Sequence, residues 1–507
     1  MIEPSSTSLI PIIVTLSLSL YTRNVIIGLF SGVFVGVLML NGLNPLTGLS
    51  LMVTDHIVPE LTDNYNAGVL VLLAFIGGFV ALVERSGGGV AFAKSINGWV
   101  KNQVQAQMAA WVSGIAIFFS DLGTPLIIGP IFRPLTDRLK ISRQKLAYII
   151  DSTSSPVAIL IPFIGWGVYI MSLMSQEFAA LDMDENELSA FIRTIPFQFY
   201  AWLALFLVPL LALLRLDFGP MAEAEAAALK EDSNAATFMS SEQKENAATA
   251  FAHPNAKPIL VWAPLCLLAI VLCIILVPQG FPTQQVSGSA FRAGLSTAYF
   301  SAATLLIILM AALKVRPILQ SIDIYLKGMA GMTLVAVTLL LAWALSDVGR
   351  ELGAASYIAA VAQASLPFWL LPAIVFVLSA IISFATGSSW GTFAIMFPLV
   401  IPTAIIIGAP LHVCMGAVLS GGLFGDHSSP ISETTILSSI GANCSQLEHF
   451  RTQLPYALFN GIISIIAFLI AGLTGASLII IGALLVQVAL LILLAKKAKI
   501  NATDLRG

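Results

Sequence analysis

Charged residues are scarce in this chain of 507 residues, of which Asp, Glu, Lys and Arg make up only 10%. A soluble domain carries about 25% of such residues, because its surface must stay hydrated. Hydrophobic residues reach 58%, and the mean hydropathy is +0.92. The composition therefore excludes a soluble protein and predicts an integral membrane protein with the lipid bilayer as a partner. A formal net charge of -3 offers no basic surface, so no nucleic acid is expected.

Cysteine is also scarce, with four residues at Cys266, Cys273, Cys414 and Cys444. No two of them form a CxxC pair, which argues against a zinc cage and a disulfide framework. We expect them to pack as small apolar side chains between helices. The first residues have neither a basic leader nor a small-residue cleavage site, so we expect a first membrane span there and not a removable signal peptide.

Long apolar runs are abundant, and about 20 such residues cross the hydrocarbon core as a helix. About eleven spans are predicted: 6–22, 24–42, 66–84, 146–175, 196–214, 258–277, 296–313, 329–347, 411–440, 455–472 and 476–495. The apolar stretches 106–132 and 368–402 are interrupted by Gly, Pro, Ser and Thr. Non-helical backbone at that depth is tolerated only where protein shields it or water reaches it. The expected fold is thus an all-α polytopic membrane protein with two additional re-entrant hairpins.

The distribution of Lys and Arg predicts the orientation. If both hairpins re-enter, about 21 of these residues lie inside, and only Arg193, Arg292 and Arg350 lie outside. The C-terminus and residues 133–145 are then cytoplasmic. The polar segment 217–257 is a cytoplasmic linker, helical at 222–230, between an N-terminal half (1–216) and a C-terminal half (258–507).

A duplicated pattern joins the two halves. Each copy has Gly-Thr followed by two prolines, and later an acidic residue followed by Ser-Ser-Pro. The first copy contains Gly123, Thr124, Pro130, Pro134, Asp151, Ser154, Ser155 and Pro156, and the second contains Gly391, Thr392, Pro398, Pro402, Asp426, Ser428, Ser429 and Pro430. Each predicted repeat therefore pairs one hairpin (106–132 or 368–402) with one broken helix (146–175 or 411–440).

The two copies differ in the charge of their connecting loops. The loop from 134 to 145 is strongly basic, whereas its counterpart from 401 to 412 has no Lys or Arg. Because basic loops stay inside, the copies should face opposite sides of the membrane. Such an inverted-topology repeat is a common construction of secondary transporters.

Pro156 and Pro430 are the predicted sites of helix interruption, since proline lacks an amide hydrogen and clashes with the preceding turn. A single Ser-Pro pair more often only bends a membrane helix, but duplication beside an acid favours a break. An interrupted helix exposes carbonyl oxygens for a cation and helix N-termini for anionic groups. Hydroxyl oxygens suit a hard ion such as Na+. The predicted ion- or substrate-binding residues are Thr124, Ser154, Ser155, Ser388, Ser389, Thr392, Ser428 and Ser429.

Four acids lie within or next to apolar runs, where a carboxylate costs about 2.5–3.5 kcal/mol at the bilayer centre. They are Asp121, Asp151, Asp426 and Glu433, and we expect them to couple Na+ and H+ movement. For Asp151, a helix-end residue near the basic cluster is an equal alternative. His427 could relay protons, or it could be a neutral, packed side chain. Three other acids lie at predicted span ends and are expected to be interfacial: Glu84, Asp347 and Glu351.

The run GDHSSPISETTILSS at 425–439 closely resembles the NhaC-type Na+/H+ antiporter family. Further matching runs are RTQLPY at 451–456, RPLTDR at 133–138, KLAYIIDST at 145–153 and SWGT at 389–392. The resemblance implies a bacterial inner-membrane carrier with inverted repeats and Na+ or H+ coupling. One departure stands out: many relatives have adjacent acids at the first hairpin tip, where this chain has only Asp121.

Two transport functions remain open. The first is Na+/H+ antiport at a midplane cation site. The second is a Na+- or H+-coupled carrier of an amino acid or small carboxylate, such as a malate/lactate-type exchanger, for which the smaller tip leaves room. An enzyme is not expected, because adjacent Asp426, His427 and Ser428 cannot form a catalytic triad. No cofactor is expected beyond the coupling ions, and a homodimer is one option for the assembly.

Overall fold

The computed structural model describes residues 5–42, 44–97, 100–230, 253–281, 284 and 286–504. This part of the chain is helical and contains no strand, which confirms the predicted all-α class. The α-helices are α1 (Ile10–Thr22), α2 (Val25–Leu40), α3 (Pro45–Leu51), α4 (Val58–Thr62), α5 (Asn64–Arg85), α6 (Gly88–Asn97), α7 (Gln103–Ala116), α8 (Gly123–Arg138), α9 (Arg143–Ser152), α10 (Ser155–Ala158), α11 (Gly165–Ala180), α12 (Glu187–Thr194), α13 (Phe199–Leu214), α14 (Pro220–Lys230), α15 (Ile259–Leu276), α16 (Gly288–Ala312), α17 (Ile318–Gly331), α18 (Thr333–Glu351), α19 (Ala354–Ser365), α20 (Leu371–Thr386), α21 (Ser389–Ile407), α22 (Leu411–His427), α23 (Glu433–Ala442), α24 (Gln446–Thr474) and α25 (Ile479–Asp504). Short 3-10 segments lie at Ser6–Leu9, Ile195–Phe197, Val277–Gln279 and Phe368–Leu370, and a π-helix lies at Met52–Ile57.

Helix boundaries follow local chemistry. The Asn24 and Asp63 side chains cap α2 and α5 by accepting hydrogen bonds from the first amides of each helix. Ser388 caps α21 in the same way through the amide of Gly391. Gly387, with φ of 67°, ends α20 in the left-handed conformation that glycine adopts without strain. The turn of the second hairpin is therefore formed by a glycine C-cap followed directly by a serine N-cap.

Within the described residues, eight helices are long and apolar enough to cross a membrane, and ten if two bent pairs each count as one span. The protein is thus a multi-pass membrane protein, but the predicted number of about eleven spans is not confirmed. The difference arises where predicted spans are formed by shorter pieces. The predicted spans 146–175 and 411–440 are each divided among helices of fewer than 18 residues.

The duplicated sequence pattern corresponds to two similar structural modules. The first module comprises α7 to α11, and the second comprises α20 to α23. In each, a helix–turn–helix packs against the helix that follows it, namely α9 or α22. The contacts between modules are reciprocal, because α8 packs on α23 and α21 packs on α11. Their inversion across the bilayer stays a prediction.

Both proline sites lie where helices are interrupted. In the first module, α9 ends at Ser152, and Pro156 lies in the single turn of α10 before a second interruption at 159–164. In the second module, Pro430 lies between α22 and α23. The backbone therefore opens at the two positions that the Ser-Ser-Pro motifs predict.

The two helix–turn–helix segments differ in length. The arms of the first, α7 and α8, have 14 and 16 residues and are shorter than a full span. The second has longer arms, and both Phe368–Thr386 and Ser389–Ile407 could cross a membrane by length and composition. Re-entry of the two hairpins therefore stays a prediction that rests on the distribution of basic residues.

The helix expected at 222–230 is present as α14, which begins at Pro220. It packs against α9 and α24, and its residue Met221 is fully buried. Residues 231–252 of the predicted linker lie outside the described residues. The division into two halves joined by a cytoplasmic linker stays a prediction.

Candidate functional site

Each helix break is bonded to the hairpin tip of its own module. The Ser154 hydroxyl donates a hydrogen bond to the carbonyl oxygen of Asp121, at the tip between α7 and α8. In the second module, the Ser429 hydroxyl donates to the carbonyl oxygen of Phe384, near the end of α20, at 2.7 Å. In both modules, a serine of the repeated Ser-Ser-Pro motif thus bonds the helix break to the hairpin tip.

The two tips meet through Trp166 at the start of α11. The indole nitrogen of Trp166 donates to the Asp121 carboxylate at 2.9 Å, and its ring lies 5.0 Å from that of Trp390, centroid to centroid. The Tyr169 hydroxyl donates to the carbonyl oxygen of Trp390 at 2.8 Å. Asp121 and the second tip are therefore parts of one site that both modules share.

Asp151, at the end of α9, is 1% exposed and is surrounded by groups from the C-terminal half. The Gln453 amide nitrogen donates to its carboxylate at 2.6 Å, and the Ser438 hydroxyl approaches at 3.4 Å. The imidazole nitrogens of His449 and His427 lie 3.5 and 3.8 Å from the same carboxylate. Two histidines and an amide can therefore stabilise its negative charge.

His427 also bonds to groups of the N-terminal half. Its Nδ1 lies 2.8 Å from the Tyr200 hydroxyl, and its Nε2 lies 3.3 Å from the Ser152 hydroxyl. The ring is 3% exposed, so it is both packed and hydrogen-bonded. The structure thereby brings His427 into the network around Asp151, whichever of its two expected roles it has.

Asp426, near the end of α22, accepts a hydrogen bond of 2.8 Å from the Ser432 hydroxyl. Ser432 is the N-cap residue of α23, but its side chain makes no capping bond to that helix. The charges of Asp121, Asp151 and Glu433 are close enough to act on Asp426. The four predicted coupling acids thus form one electrostatic cluster, in which Asp151 and Asp426 are buried, Asp121 is partly exposed and Glu433 is exposed.

The predicted hydroxyl ligands lie around this cluster, but most already donate to the backbone. Thr124, Thr392 and Ser428 bond to carbonyls within their own helical turns, and Ser388 caps α21. A donating hydroxyl retains its lone pairs, so it can still accept a hydrogen bond or coordinate a cation. Ser389 is buried at the first position of α21. Among the described residues, the buried Ser155 hydroxyl has no hydrogen-bond partner.

Close helix packing brings the two modules together behind the site. A Cβ atom added at Gly129 of α8 would lie 2.4 Å from the backbone of Gly441 in α23. One added at Gly441 would lie 2.3 Å from the carbonyl oxygen of Pro125. Only glycine allows this contact, which sets how closely the first hairpin approaches the second broken helix.

Several site residues were missed by sequence reasoning. No motif marks Trp166, Tyr200 or His449. Ser432 and Gln453 lie within the runs 425–439 and 451–456 without having been assigned a role. Glu84, expected at the interface, accepts a hydrogen bond of 2.5 Å from Ser120 at the first tip. Polar residues in apolar helices were the available signal for Glu84 and Gln453.

The sequence matches the model of a family described as the Na+/H+ antiporter family over residues 157–473. An uncharacterised protein of Haemophilus influenzae is 31% identical over 97% of this chain and 95% of its own length. The malate-2H(+)/Na(+)-lactate antiporter of Bacillus subtilis is 36% identical over 96 residues, which are 19% of this chain and 20% of that protein.

A similar fold is found in the crystal structure of the YdaH transporter of Alcanivorax borkumensis, which has been described as having an unusual topology. The TM-score is 0.53 at 15% sequence identity, and the match covers 86% of this chain and 90% of that one. The similarity supports the arrangement of helices described above.

Proposed function

The chain belongs to the Na+/H+ antiporter family and is a multi-pass secondary transporter, and from this premise we propose that it exchanges Na+ for H+ at the site between the two modules. The observation that carries the proposal is the cluster of Asp121, Asp151, Asp426 and Glu433 beside both helix breaks. Carboxylates at this depth are costly to retain, so they imply a cation that visits them. The similarity supports a transporter over an enzyme.

Exchange follows from competition for oxygen atoms. A carboxylate that holds a proton is a poor ligand for Na+, and one that coordinates Na+ resists protonation. Asp426 is the best placed competitor, because it is buried and accepts one side-chain hydrogen bond, from Ser432. Neighbouring hydroxyls, such as those of Ser428 and Ser155, supply further oxygens for a hard cation. Binding of either ion therefore displaces the other.

Alternating exposure follows from the reciprocal packing of the modules. Because α8 contacts α23 and α21 contacts α11, rocking one module against the other can open one side of the site while closing the other. We place the protein in a bacterial cytoplasmic membrane with the basic segment 133–145 inside. The scheme requires no cofactor besides the two ions and is compatible with a monomer or a homodimer.

The test uses purified protein in liposomes that contain a pH-sensitive dye. Addition of Na+ should release protons in the wild type, and Asp426→Asn should abolish the signal while preserving membrane insertion, because a neutral side chain is easier to bury. The exposed Asp323, which pairs with Lys327 on α17, provides the control variant Asp323→Asn. Acidification should raise the Na+ concentration needed for half-maximal exchange, because protons then occupy the shared carboxylates.

Two results would contradict the proposal. If Na+ moves no protons in the wild type, the protein is not a Na+/H+ antiporter. If Asp426→Asn exchanges at the wild-type rate, Asp426 has no part in the mechanism. Quantification of inserted protein separates lost transport from lost folding.

A coupled carrier of a small carboxylate is the second candidate. Helices α8, α21 and α23 begin beside the site, and helix N-termini favour anionic groups. The local similarity to the malate-2H(+)/Na(+)-lactate antiporter supports the same class of solute. Uptake of radiolabelled malate or lactate that requires Na+ or a pH gradient would favour this candidate over pure cation exchange. An uptake panel should include amino acids, which also carry a carboxylate.

A further inference from the structure

Three side chains of types that can ligate a metal ion lie together where the π-helix Met52–Ile57 packs against α18. His56 is buried in the π-helix Met52–Ile57, while Asp347 and Glu351 lie one turn apart on α18. One ligand atom from each residue lies within 4.8 Å of the others. Carboxylates at positions i and i+4 of a helix share one face, so both can converge on an ion held by the histidine.

We propose that His56, Asp347 and Glu351 form a binding site for a divalent transition-metal ion such as Zn2+. Zn2+ binds both imidazole nitrogen and carboxylate oxygen, and in open sites three protein ligands and a water molecule complete its four-coordination. Ca2+ and Mg2+ prefer oxygen ligands alone, so the histidine favours a transition metal. Bonds of about 2.0–2.2 Å require the ligand atoms to move closer together, and the exposed Glu351 side chain is free to do so.

The surroundings orient the ligands and favour a cation. His56 Nδ1 lies 2.8 Å from Asp347 Oδ2, while Arg350 donates to the other oxygen of Asp347 at 3.2 Å. Arg350 thereby fixes the carboxylate with one oxygen directed at the histidine. The charges of Asp55 and Glu351 act on His56, and the half-buried Glu60 lies near Asp347. Acids therefore outnumber the one arginine of this cluster.

The site would join two segments that are distant in sequence. The π-helix that carries His56 packs against α18, and α18 also packs against α11 and α21 of the two modules. A bound metal would clamp the N-terminal segment to a helix that contacts both. We therefore expect metal binding to slow transport, whichever solute is carried.

Co2+ is a suitable probe, because its visible absorption reports a nitrogen- and oxygen-ligated site and its displacement by Zn2+ can be titrated. The full-length purified protein should bind one Co2+ per chain, displaceable by Zn2+ but not by Mg2+ at equal concentration. His56→Gln and Glu351→Gln should each weaken binding at least tenfold, since even second-shell changes cost about 10–100-fold. Glu351 is exposed, so its variant should fold normally.

Two control variants separate a defined site from general attraction. Asp323→Asn removes an exposed acid on α17, away from the cluster, and His412→Gln removes a histidine that pairs with one carboxylate, Glu185, at 2.8 Å. Both should bind Co2+ as the wild type does. Absence of a Co2+ spectrum in the wild type, or unchanged affinity in both His56→Gln and Glu351→Gln, would overturn the proposal. The measurement does not use transport, so its outcome is independent of the Na+/H+ assignment.

Discussion

At the scale of single residues, Gln453 connects the two broken helices. Its amide nitrogen donates to the Asp151 carboxylate at 2.6 Å and to the carbonyl oxygen of His427 at 2.5 Å. Asp151 lies near the end of α9, and His427 ends α22. One buried amide group therefore fixes Asp151, a predicted coupling acid of the first module, to the exposed backbone at the break of the second.

Replacement of Gln453 by leucine should leave both acceptors without this donor. Each buried acceptor that loses its partner costs about 1–3 kcal/mol, so we expect a lower melting temperature. We also expect at least a tenfold loss of Na+-dependent proton release, because Asp151 is no longer held beside the break. Melting curves and the liposome assay measure the two effects on the same preparation.

Gln487 provides the matched control for Gln453. It is also fully buried, and its amide nitrogen donates to the carbonyl oxygen of Leu203 at 2.8 Å and to the side-chain oxygen of Asn460 at 2.9 Å. Neither acceptor is one of the four predicted coupling acids. Gln487→Leu should lose comparable stability while its Na+ and pH dependence stay unchanged. Equal transport profiles in the two leucine variants would show that Gln453 is only a packing residue.

At the scale of secondary-structure elements, α14 contacts the helix that carries Asp151. The Glu225 carboxylate accepts a 2.8 Å hydrogen bond from the amide of Ser142, which is the N-cap residue of α9. Burial raises the pKa of Glu225 above its ordinary value, and the charge of Asp217 adds to this effect. The Ser142 hydrogen bonds and the positive charge of Lys145 oppose the shift without cancelling it.

The raised pKa predicts that docking of α14 weakens as pH rises. A group whose pKa is higher in the docked state than in the undocked state stabilises docking at low pH. This contribution is complete below the pKa of the undocked group, and it is lost as pH rises through the pKa of the docked group. Glu225→Gln keeps an acceptor for the Ser142 amide but has no charge to bury. At pH 8, we therefore expect slower hydrogen exchange in α14 of this variant than in the wild type.

At each pH, the hydrogen-exchange rate of α14 in the variant is divided by the rate in the wild type. This ratio cancels the intrinsic pH dependence of amide exchange. The ratio should approach one on acidification toward the ordinary glutamate pKa near 4.5. Glu223 is exposed on the same helix, so Glu223→Gln should give a ratio near one throughout. Faster exchange in Glu225→Gln at pH 8 would contradict the assigned cost of burying the charge.

At the scale of the whole molecule, the structural features that could be predicted from the sequence are those that depend on local chemistry. The Ser-Ser-Pro motifs beside an acid predicted both breaks, whereas prolines inside α8 and α21 leave those helices continuous, so proline alone does not open a helix. The Gly, Ser and Thr residues that interrupt the apolar stretches predicted both turns. Contacts between distant segments left no such signal. Trp166 reaches Asp121 across 45 positions and Gln453 reaches Asp151 across 302, so these partners depend on how the modules pack.

The number of spans was less predictable than the breaks for a related reason. Hydropathy measures how apolar a segment is, and buried half-helices are as apolar as helices that face lipid. The second helix–turn–helix is long enough for two spans, whereas the first is not. Only the basic residues after α8 indicate on which side each hairpin begins.

That argument gives a test of the inverted arrangement. In a cysteine-free background, Arg138→Cys and Gly408→Cys place single thiols at the last residue of α8 and directly after α21, the second arms of the two hairpins. Arg138 is exposed, and a Cβ atom at Gly408 would meet no atom within 4 Å. The positive φ of Gly408 makes cysteine cost about 1–2 kcal/mol there, which a loop position should tolerate.

If the modules are inverted, a membrane-impermeant maleimide added to intact cells should label the cysteine at 408 and not the one at 138. In inside-out vesicles, the pattern should reverse, because the basic segment 133–145 faces the cytoplasm. Labelling of both cysteines from one side would mean that the modules run parallel. The contacts of α8 with α23 and of α21 with α11 would then not be related by inversion across the membrane. Symmetry could no longer interchange the inward-open and outward-open states, and alternating access would need another mechanism.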